Sequence, residues 1–279
     1  MAPIFKKGKK TSAINYRPVS LTCITCKILE HIITSHIHSH LDRYDILSDR
    51  QHGFRSRRSC ETQLLYTYYD LIQAKNSKPV QQVDMIILDM SKAFDKVSHP
   101  RLLAKCKAIG ITGPVLSWIE SWLGGRTQRV LLEGIGSNSA PVRSGVPQGS
   151  VLGPVLFLIF INDIISDISP GTSCRLFADD CLLYRPITSE CDSCILQKDL
   201  QSLENWEEAW RMKFNSSKCK VLRIPAGRKV FECNYRIHNE SLEIIKNEKY
   251  LGVYFSHDMK WNTHVDYIIK KANRNLHQA

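Results

Sequence analysis

The stretch of this sequence that most restricts its possible folds is FADDCLLY, residues 177–184. In it, two adjacent aspartates stand between apolar residues. The flanking apolar runs predict two short buried strands, and the polar pair between them predicts a tight hairpin turn. Asp is favoured in turns for its local hydrogen bonds, so a plain turn explains Asp179 and Asp180 without any function. Ionised carboxylates among buried apolar residues, however, need a compensating cation, and this favours a functional site.

A third carboxylate ends another apolar run. Residues 83–88 are apolar apart from Asp84, and Asp89 follows them directly. The run is too short for a core helix and predicts a buried strand. If this strand lies beside the hairpin, three carboxylates converge at one edge of a sheet, where they repel one another unless a divalent cation neutralises them. Oxygen ligands suit Mg²⁺, and a pair of such ions serves in-line displacement at phosphorus.

The remaining elements predict an α+β fold, with a mainly antiparallel sheet backed by helices. Helices are predicted over residues 21–42, 61–74, 100–109, 114–123, 151–168 and 191–212, and a last one from near Thr263. Strands are predicted at residues 129–133 paired with 140–143, in the hairpin arms 174–177 and 181–184, and at 220–224 and 250–255.

The composition favours a polyanionic partner. The 279 residues are 43% hydrophobic, which is enough for the core of one large domain or two small ones. The formal net charge of +11 points to nucleic acid, with a solvated basic surface on an ordinary enzyme as the alternative. The ten cysteines follow no regular framework, and neither a membrane-spanning apolar stretch nor a signal-peptide core is present. We therefore expect an intracellular, reduced protein.

Seven sequence blocks, in the same order along the chain, resemble the reverse transcriptase domain of non-LTR (LINE-type) retrotransposons, most closely those of the jockey and CR1 groups. The blocks are residues 4–7 with NYRPVSL at 15–21, QHGFR at 51–55, LDMSKAFD at 88–95, GVPQGS at 145–150, FADD at 177–180, NSSK at 215–218 and YLGV at 250–253. One block alone is weak support, whereas the ordered series is specific. The resemblance implies a right-hand polymerase fold, with the antiparallel sheet as its palm.

The same resemblance divides the chain into polymerase subdomains. It implies a partial fingers region over residues 1–82, a palm with interleaved fingers elements over 83–260, and the first helix of a thumb over 261–279. Family members are longer and carry an endonuclease, a full thumb and a C-terminal tail, so we expect a truncated fragment of a retrotransposon reading frame. A catalytically inactive, nucleic-acid-binding remnant is therefore the alternative to an active polymerase.

The resemblance also implies the catalytic residues. Asp89, Asp179 and Asp180 match the triad that binds two Mg²⁺ ions, with Mn²⁺ as a substitute. Asp95 lies in the same block as Asp89, but the family pattern and the end of the strand favour Asp89 as ligand and leave Asp95 to hold local structure. Lys218 matches a lysine proposed to protonate the leaving pyrophosphate, and an ordinary solvated lysine is the alternative.

Four further positions match residues that bind the incoming nucleotide. Arg17 stands where related enzymes hold the triphosphate, which the planar guanidinium suits. Phe94 matches the ring beneath the sugar that excludes a ribose 2′-OH, with a plain core aromatic as the alternative. Gln148 and Gly149 lie in the loop that supports the template base and the nucleotide.

The function implied is RNA-directed DNA synthesis, in which a primer 3′-OH displaces pyrophosphate from a dNTP. Arg55, Arg57 and Arg58 would contact the template backbone. The partners implied are an RNA template, a DNA primer and dNTPs, with no membrane, and the family implies action in the nucleus. An RNA-dependent RNA polymerase shares the carboxylate chemistry, but Phe94 disfavours it. Oligomeric state is left open.

Overall fold

The computed structural model describes residues 1–276. Its helices are α1 (Ile24–Arg43), α2 (Cys60–Asn76), α3 (Ala93–Lys96), α4 (His99–Ala108), α5 (Gly113–Leu123), α6 (Leu152–Ile161), α7 (Glu190–Trp210) and α8 (Asn262–Leu276), with 3-10 turns at Ala13–Asn15, Asn162–Ile165 and Ser216–Lys218. Its strands are β1 (Ala2–Phe5), β2 (Tyr16–Val19), β3 (Gln82–Asp89), β4 (Thr127–Gln128), β5 (Leu131–Leu132), β6 (Ile135–Gly136), β7 (Ala140–Pro141), β8 (Ser173–Phe177), β9 (Asp180–Ile187), β10 (Lys220–Pro225), β11 (Arg236–Ile237), β12 (Glu240–Ser241), β13 (Glu243–Ile245), β14 (Asn247–Tyr250) and β15 (Val253–Ser256).

These elements form two compact units. The first comprises Met1–Asp49, Lys92–Asp163 and Ala209–Met212, and the second comprises Arg50–Ser91, Ile164–Glu208 and the chain from Lys213 onward. The fingers, palm and thumb boundaries implied by the resemblance stay a prediction, and residues 277–279 of the expected thumb helix lie outside the described residues.

The first unit is built around α6, whose sequence LGPVLFLIFI is buried at nine of its positions. A helix that is apolar on every side is buried on every side. We predicted that it would extend to residue 168, but it ends at Ile161 and continues as a 3-10 turn. At that point the Asn162 side chain donates to Ile46 O at 2.7 Å and accepts from Ser48 N at 2.9 Å. Among residues 1–276, no helix combines the length and the apolar character needed to cross a membrane.

The segment between α5 and the 145–150 loop differs from its prediction. We expected residues 129–133 to pair with 140–143. Instead β4 pairs with β7, and β5 pairs with β6 inside them. Glu133 and Gly134 form the inner turn with φ of +50° and +84°, and two consecutive positive φ angles characterise the tight hairpin turns that suit strand twist. The prediction was wrong because it passed over this Glu-Gly turn.

The second unit contains the five-stranded sheet, in the order β13-β10-β3-β9-β8. Every neighbouring pair is antiparallel except β10 with β13, so the predicted mainly antiparallel sheet is confirmed. The predicted single strand at 250–255 is instead the hairpin β14–β15. Its turn residues Leu251 and Gly252 have φ of +45° and +92°, which a continuous strand cannot contain.

The N-terminus of α7 is held by one carboxylate. Asp192 Oδ2 accepts hydrogen bonds from the backbone N–H groups of Thr188 and Ser189 at 3.0 and 3.1 Å, and Asp192 Oδ1 faces the Arg185 guanidinium at 3.2 Å. Burial alone would raise the pKa of Asp192. The hydrogen bonds from Thr188 and Ser189, together with Arg185, outweigh it and lower the pKa to about 2.

The lowered pKa of Asp192 predicts how the stability of the chain depends on pH. The pKa of Asp192 is lower in the folded chain than its ordinary value of 3.8. Its contribution to the free energy of unfolding is therefore complete above about pH 3.8 and is lost as the pH falls towards 2. We expect Asp192→Asn to lower the free energy of unfolding by about 1 kcal/mol at pH 6. Urea unfolding at several pH values should show this difference shrinking below pH 4. A constant difference would contradict the assignment, and the exposed Asp266→Asn serves as the control.

Candidate active site

The two adjacent aspartates lie at the hairpin turn that the sequence predicted. In the β8–β9 hairpin Phe177 pairs with Asp180, so Ala178 and Asp179 are the two central turn residues. Ala178 has a φ of +52° and is buried, whereas Asp180 is exposed to solvent. The turn therefore places Asp179 and Asp180 where the apolar strands end.

The third carboxylate meets them across the sheet. Asp89, the last residue of β3, is the register partner of Asp180, the first residue of β9. Desolvation, followed by repulsion from Asp179 and Asp89, raises the pKa of Asp180 to about 6. Asp180 nevertheless reaches solvent. A cation bound beside it would remove the part of the pKa shift that comes from repulsion by Asp179 and Asp89. The three predicted carboxylates are thus close enough to influence one another.

Lys218 forms an ion pair with one member of this group. Its Nζ lies 3.0 Å from Asp89 Oδ1, and both side chains are exposed, by 57% and 39%. The backbone brings it there, because Ser91 N donates to Lys213 O and Asn215 N donates to Asp89 O, each at 2.8 Å. The 3-10 turn Ser216–Lys218 then directs the lysine back towards Asp89.

The donor set fits a divalent cation of the Mg²⁺ type. Within residues 1–276 no three His, Cys, Asp or Glu side chains already stand together as a complete ligand set. Repulsion from Asp179 and Asp89 nevertheless contributes, after desolvation, to the raised pKa of Asp180. Hard oxygen ligands that repel one another at a solvent-accessible strand end suit Mg²⁺, which keeps several waters when bound.

The QHGFR block lies beside the same hairpin. His52 N donates to Leu176 O, and Leu176 N donates to Arg50 O, each at 2.9 Å, so this segment pairs with β8. The three arginines predicted as template contacts, one in this block and two just after it, are not equivalent. Arg57 is exposed with a φ of +59°, Arg55 is half-buried, and Arg58 Nη1 lies 2.9 Å from His52 Nε2. Arg57 is therefore the most accessible of the predicted template contacts.

In the first unit, the segment directly after β2, the strand that contains Arg17, contacts the 145–150 loop. Arg17 is exposed on β2, and the backbone of Ser20, just beyond that strand, donates to Gln148 O at 2.7 Å. Gly149 has a φ of +96°, and a Cβ on it would lie 3.0 Å from Ser20 O. Only glycine suits both the conformation and the close approach at this position.

The same loop contacts the block that contains Phe94 and Asp95. Val146 N donates to Phe94 O at 2.8 Å, and Gln148 Nε2 donates to Asp95 Oδ1 at 2.9 Å. The second contact supports the expectation that Asp95 holds local structure. The Phe94 ring stacks on the buried Phe157, with centroids 4.3 Å apart and planes at 16°. One face of Phe94 is therefore fixed by the core.

Glu30 supports this loop and was not singled out in the sequence. It is fully buried, and its Oε2 accepts from the N–H groups of Val151 and Leu152 at 2.7 and 3.2 Å, directly after the loop. Its Oε1 accepts from Trp122 Nε1 at 3.1 Å. A lone Glu in an amphipathic helix gives no local sign of such a role, because its partners are about a hundred residues away in the sequence.

Comparisons with known proteins agree with the geometry. A family model described as reverse transcriptase (RNA-dependent DNA polymerase) matches residues 5–255. The chain is similar to the RNA-directed DNA polymerase from mobile element jockey of Drosophila melanogaster, with 28% identity over 94% of this chain. It is similar also to the probable RNA-directed DNA polymerase from transposon X-element of the same species, with 30% identity over 94% of this chain. The chain spans 29% of the length of each relative.

Among solved structures, the chain resembles an apo telomerase from Candida tropicalis truncated from its C-terminal domain. The TM-score is 0.57 at 13% identity, over 85% of this chain and 45% of that one. At this identity the likeness concerns the fold alone, and it confirms the predicted mixed helix and sheet architecture. The matches to jockey and X-element confirm the resemblance that the ordered sequence blocks indicate.

Proposed function

We propose, on the premise that this chain belongs to the reverse transcriptase (RNA-dependent DNA polymerase) family, that it carries out RNA-directed DNA synthesis for a non-LTR retrotransposon. The observation that carries the proposal is the register pair of Asp89 with Asp180, beside a turn that contains Asp179. The relatives whose names state this activity are longer proteins, and this chain spans 29% of the length of each.

The residues that would hold the metal are Asp89, Asp179 and Asp180. Two Mg²⁺ ions, or Mn²⁺ in their place, would supply charge neutralisation at the transferred phosphoryl group and activation of the primer hydroxyl. The mutual repulsion of the carboxylates supports this assignment, because a bound cation or a proton would relieve it.

The chain's own residues have separable roles in the proposed reaction. Lys218 Nζ, at the edge of the carboxylate group, would donate a proton to the departing pyrophosphate. Arg17 is exposed on its strand and would bind the triphosphate through paired hydrogen bonds. Gln148 and Gly149 would support the nucleotide from a loop that Asp95 and Ser20 hold in place. Phe94, which is half-buried, would contact the sugar.

The partners proposed are an RNA template, a DNA primer and dNTPs. The net charge of +11 supports binding to a polyanion. Arg57, the most exposed of the three arginines, would contact the template backbone, and Arg55 and Arg58 would contribute positive charge beside it. Action in the nucleus is part of this proposal and follows from the family.

Primer extension on an RNA template with Mg²⁺ and dNTPs tests the proposal. We expect the chain to lengthen a DNA primer and to use dNTPs in preference to rNTPs. RNA binding by a folded chain without extension would favour the alternative, a nucleic-acid-binding remnant that keeps the site but does not polymerise. Preference for rNTPs would contradict DNA synthesis.

Phe94 gives a separate prediction about sugar selection. We expect Phe94→Ala to raise the use of rNTPs relative to dNTPs by about tenfold or more, because the ring that would clash with the ribose 2′-OH is gone. The measurement is the ratio of kcat/KM for the two nucleotide types in primer extension. Tyr44→Ala, which removes an exposed aromatic ring from the same unit, is the control. An unchanged ratio would identify Phe94 as a core aromatic stacked on Phe157 and nothing more.

A further inference from the structure

We infer that Gln51 is a positioning residue that holds the turn before Asp179 and Asp180 in the form that metal binding requires. The inference rests on the proposed function, because it concerns the same carboxylates. This role of Gln51 differs from the template contacts proposed for Arg55, Arg57 and Arg58.

The turn itself needs support. Ala178 has a φ of +52°, in the left-handed region that is unfavourable for an L-residue with a Cβ. Its neighbour Asp179 is not among the residues with positive φ, and glycine is the usual choice at the first position of a hairpin turn of this kind. An alanine stays in this conformation only where several contacts with neighbouring residues hold it there.

Gln51 supplies that support through both backbone groups of one residue. Its Oε1 accepts a hydrogen bond from Ala178 N at 2.9 Å, and its Nε2 donates to Ala178 O at 3.3 Å. The same Oε1 also accepts from Gly53 N at 2.7 Å, which fixes the amide itself. Gln51 is only 2% exposed, so these bonds compete little with water.

The backbone on either side of Gln51 is fixed to the same hairpin. The bonds of Arg50 and His52 to Leu176 make Gln51 a bridge partner of Leu176, two residues before the turn. Gly53 then packs against the turn directly, because a Cβ on it would lie 2.3 Å from Ala178 N. The segment 50–53 therefore forms a rigid support for Ala178.

The consequence for the site is geometric. Asp179 and Asp180 follow Ala178 directly, so a change in the Ala178 backbone redirects both carboxylates relative to Asp89. Ligand constellations tolerate displacements of only about 0.5 Å before function suffers. Loss of the Gln51 contacts should therefore weaken metal binding even where the chain remains folded.

Mn²⁺ binding to the full chain tests the inference without requiring polymerase activity. Binding is followed by the EPR signal of free Mn²⁺, at a temperature where circular dichroism shows every variant folded. The Asp179→Asn/Asp180→Asn variant defines binding elsewhere on the chain. We expect Gln51→Met, which keeps the side-chain length and removes the amide, to weaken the aspartate-dependent affinity by about tenfold or more.

The chain offers a matched control in the same unit. Gln197 also holds both backbone groups of one residue, donating to Arg236 O at 3.0 Å and accepting from Arg236 N at 2.8 Å. Gln197→Met should leave Mn²⁺ affinity within about twofold of the original, because its contacts lie away from the turn. Amide exchange at Ala178, measured by NMR, should accelerate in Gln51→Met and stay unchanged in Gln197→Met.

Gly53→Ala provides an independent displacement of the same turn and should weaken Mn²⁺ binding in the same way. An affinity of Gln51→Met within about twofold of the unaltered chain would overturn the inference and leave the proposed function intact. Absence of aspartate-dependent Mn²⁺ binding by the unaltered chain would instead contradict the proposed function, and the inference with it.

Discussion

Asp179→Asn/Asp180→Asn is expected to reduce primer extension by roughly a thousandfold or more, because the substitution removes the charges that would hold the metal. Asparagine keeps the shape of aspartate and its preference for turns, so the hairpin should persist. Stability should be retained or increased at neutral pH. The pKa of Asp180 is raised to about 6, which means that its ionisation is unfavourable in the folded chain.

Extension rates and thermal melts of the same preparations measure both effects. Asp167→Asn changes an exposed aspartate and serves as the control for loss of charge alone. Loss of activity with an unchanged or higher Tm would identify the pair as catalytic carboxylates. Equal extension by the double variant and the control would contradict their assignment, and a parallel fall in activity and Tm would mean that the pair supports folding instead.

Glu30→Ala is expected to lower the free energy of unfolding by about 3–5 kcal/mol. The substitution leaves three buried or partly buried N–H donors without their acceptor, namely the backbone N–H groups of Val151 and Leu152 and the indole of Trp122. It also removes a negative charge from the N-terminus of α6, where the helix dipole favours one. Urea unfolding followed by Trp fluorescence measures the change.

Two variants bracket the Glu30 result. Glu30→Gln keeps one acceptor oxygen and should cost about half as much as Glu30→Ala. Glu120→Ala removes an exposed glutamate from the same unit and should change stability by about 0.5 kcal/mol or less. If Glu30→Ala costs no more than Glu120→Ala, the three hydrogen bonds do not stabilise the fold.

Local pattern was sufficient for the longer helices and for strands β3, β8, β9 and β10 of the main sheet. The predicted helix at 114–123 is α5 within one residue, and the predicted strand at 83–89 is β3 within one residue. Apolar periodicity and the Pro and Gly residues at the ends are local signals, which is why these elements could be read without the fold. Where a turn had to be recognised inside an apolar stretch, as at Glu133-Gly134 and Leu251-Gly252, the predictions failed.

The same distinction between local and long-range information applies to the residues of the candidate site. Asp179 and Asp180 could be predicted at a turn because the flanking strands are their sequence neighbours. The register that sets Asp89 opposite Asp180 follows from hydrogen bonding between β3 and β9, whose paired residues are about ninety positions apart. Local pattern alone could give that meeting only as a condition, that the two strands be neighbours, and the resemblance to a known family implied it before the structure did.

The sequence by itself determined the order of the longer helices and of strands β3, β8, β9 and β10, the hairpin turn and the excess of positive charge, since each depends on neighbouring residues or on composition. Tertiary structure alone decided that Gln51 binds the backbone of Ala178 and that Glu30 caps α6. Both are polar side chains that burial would penalise unless distant backbone groups were brought to them. Their roles are therefore set by long-range packing, which leaves no periodic signal in the sequence.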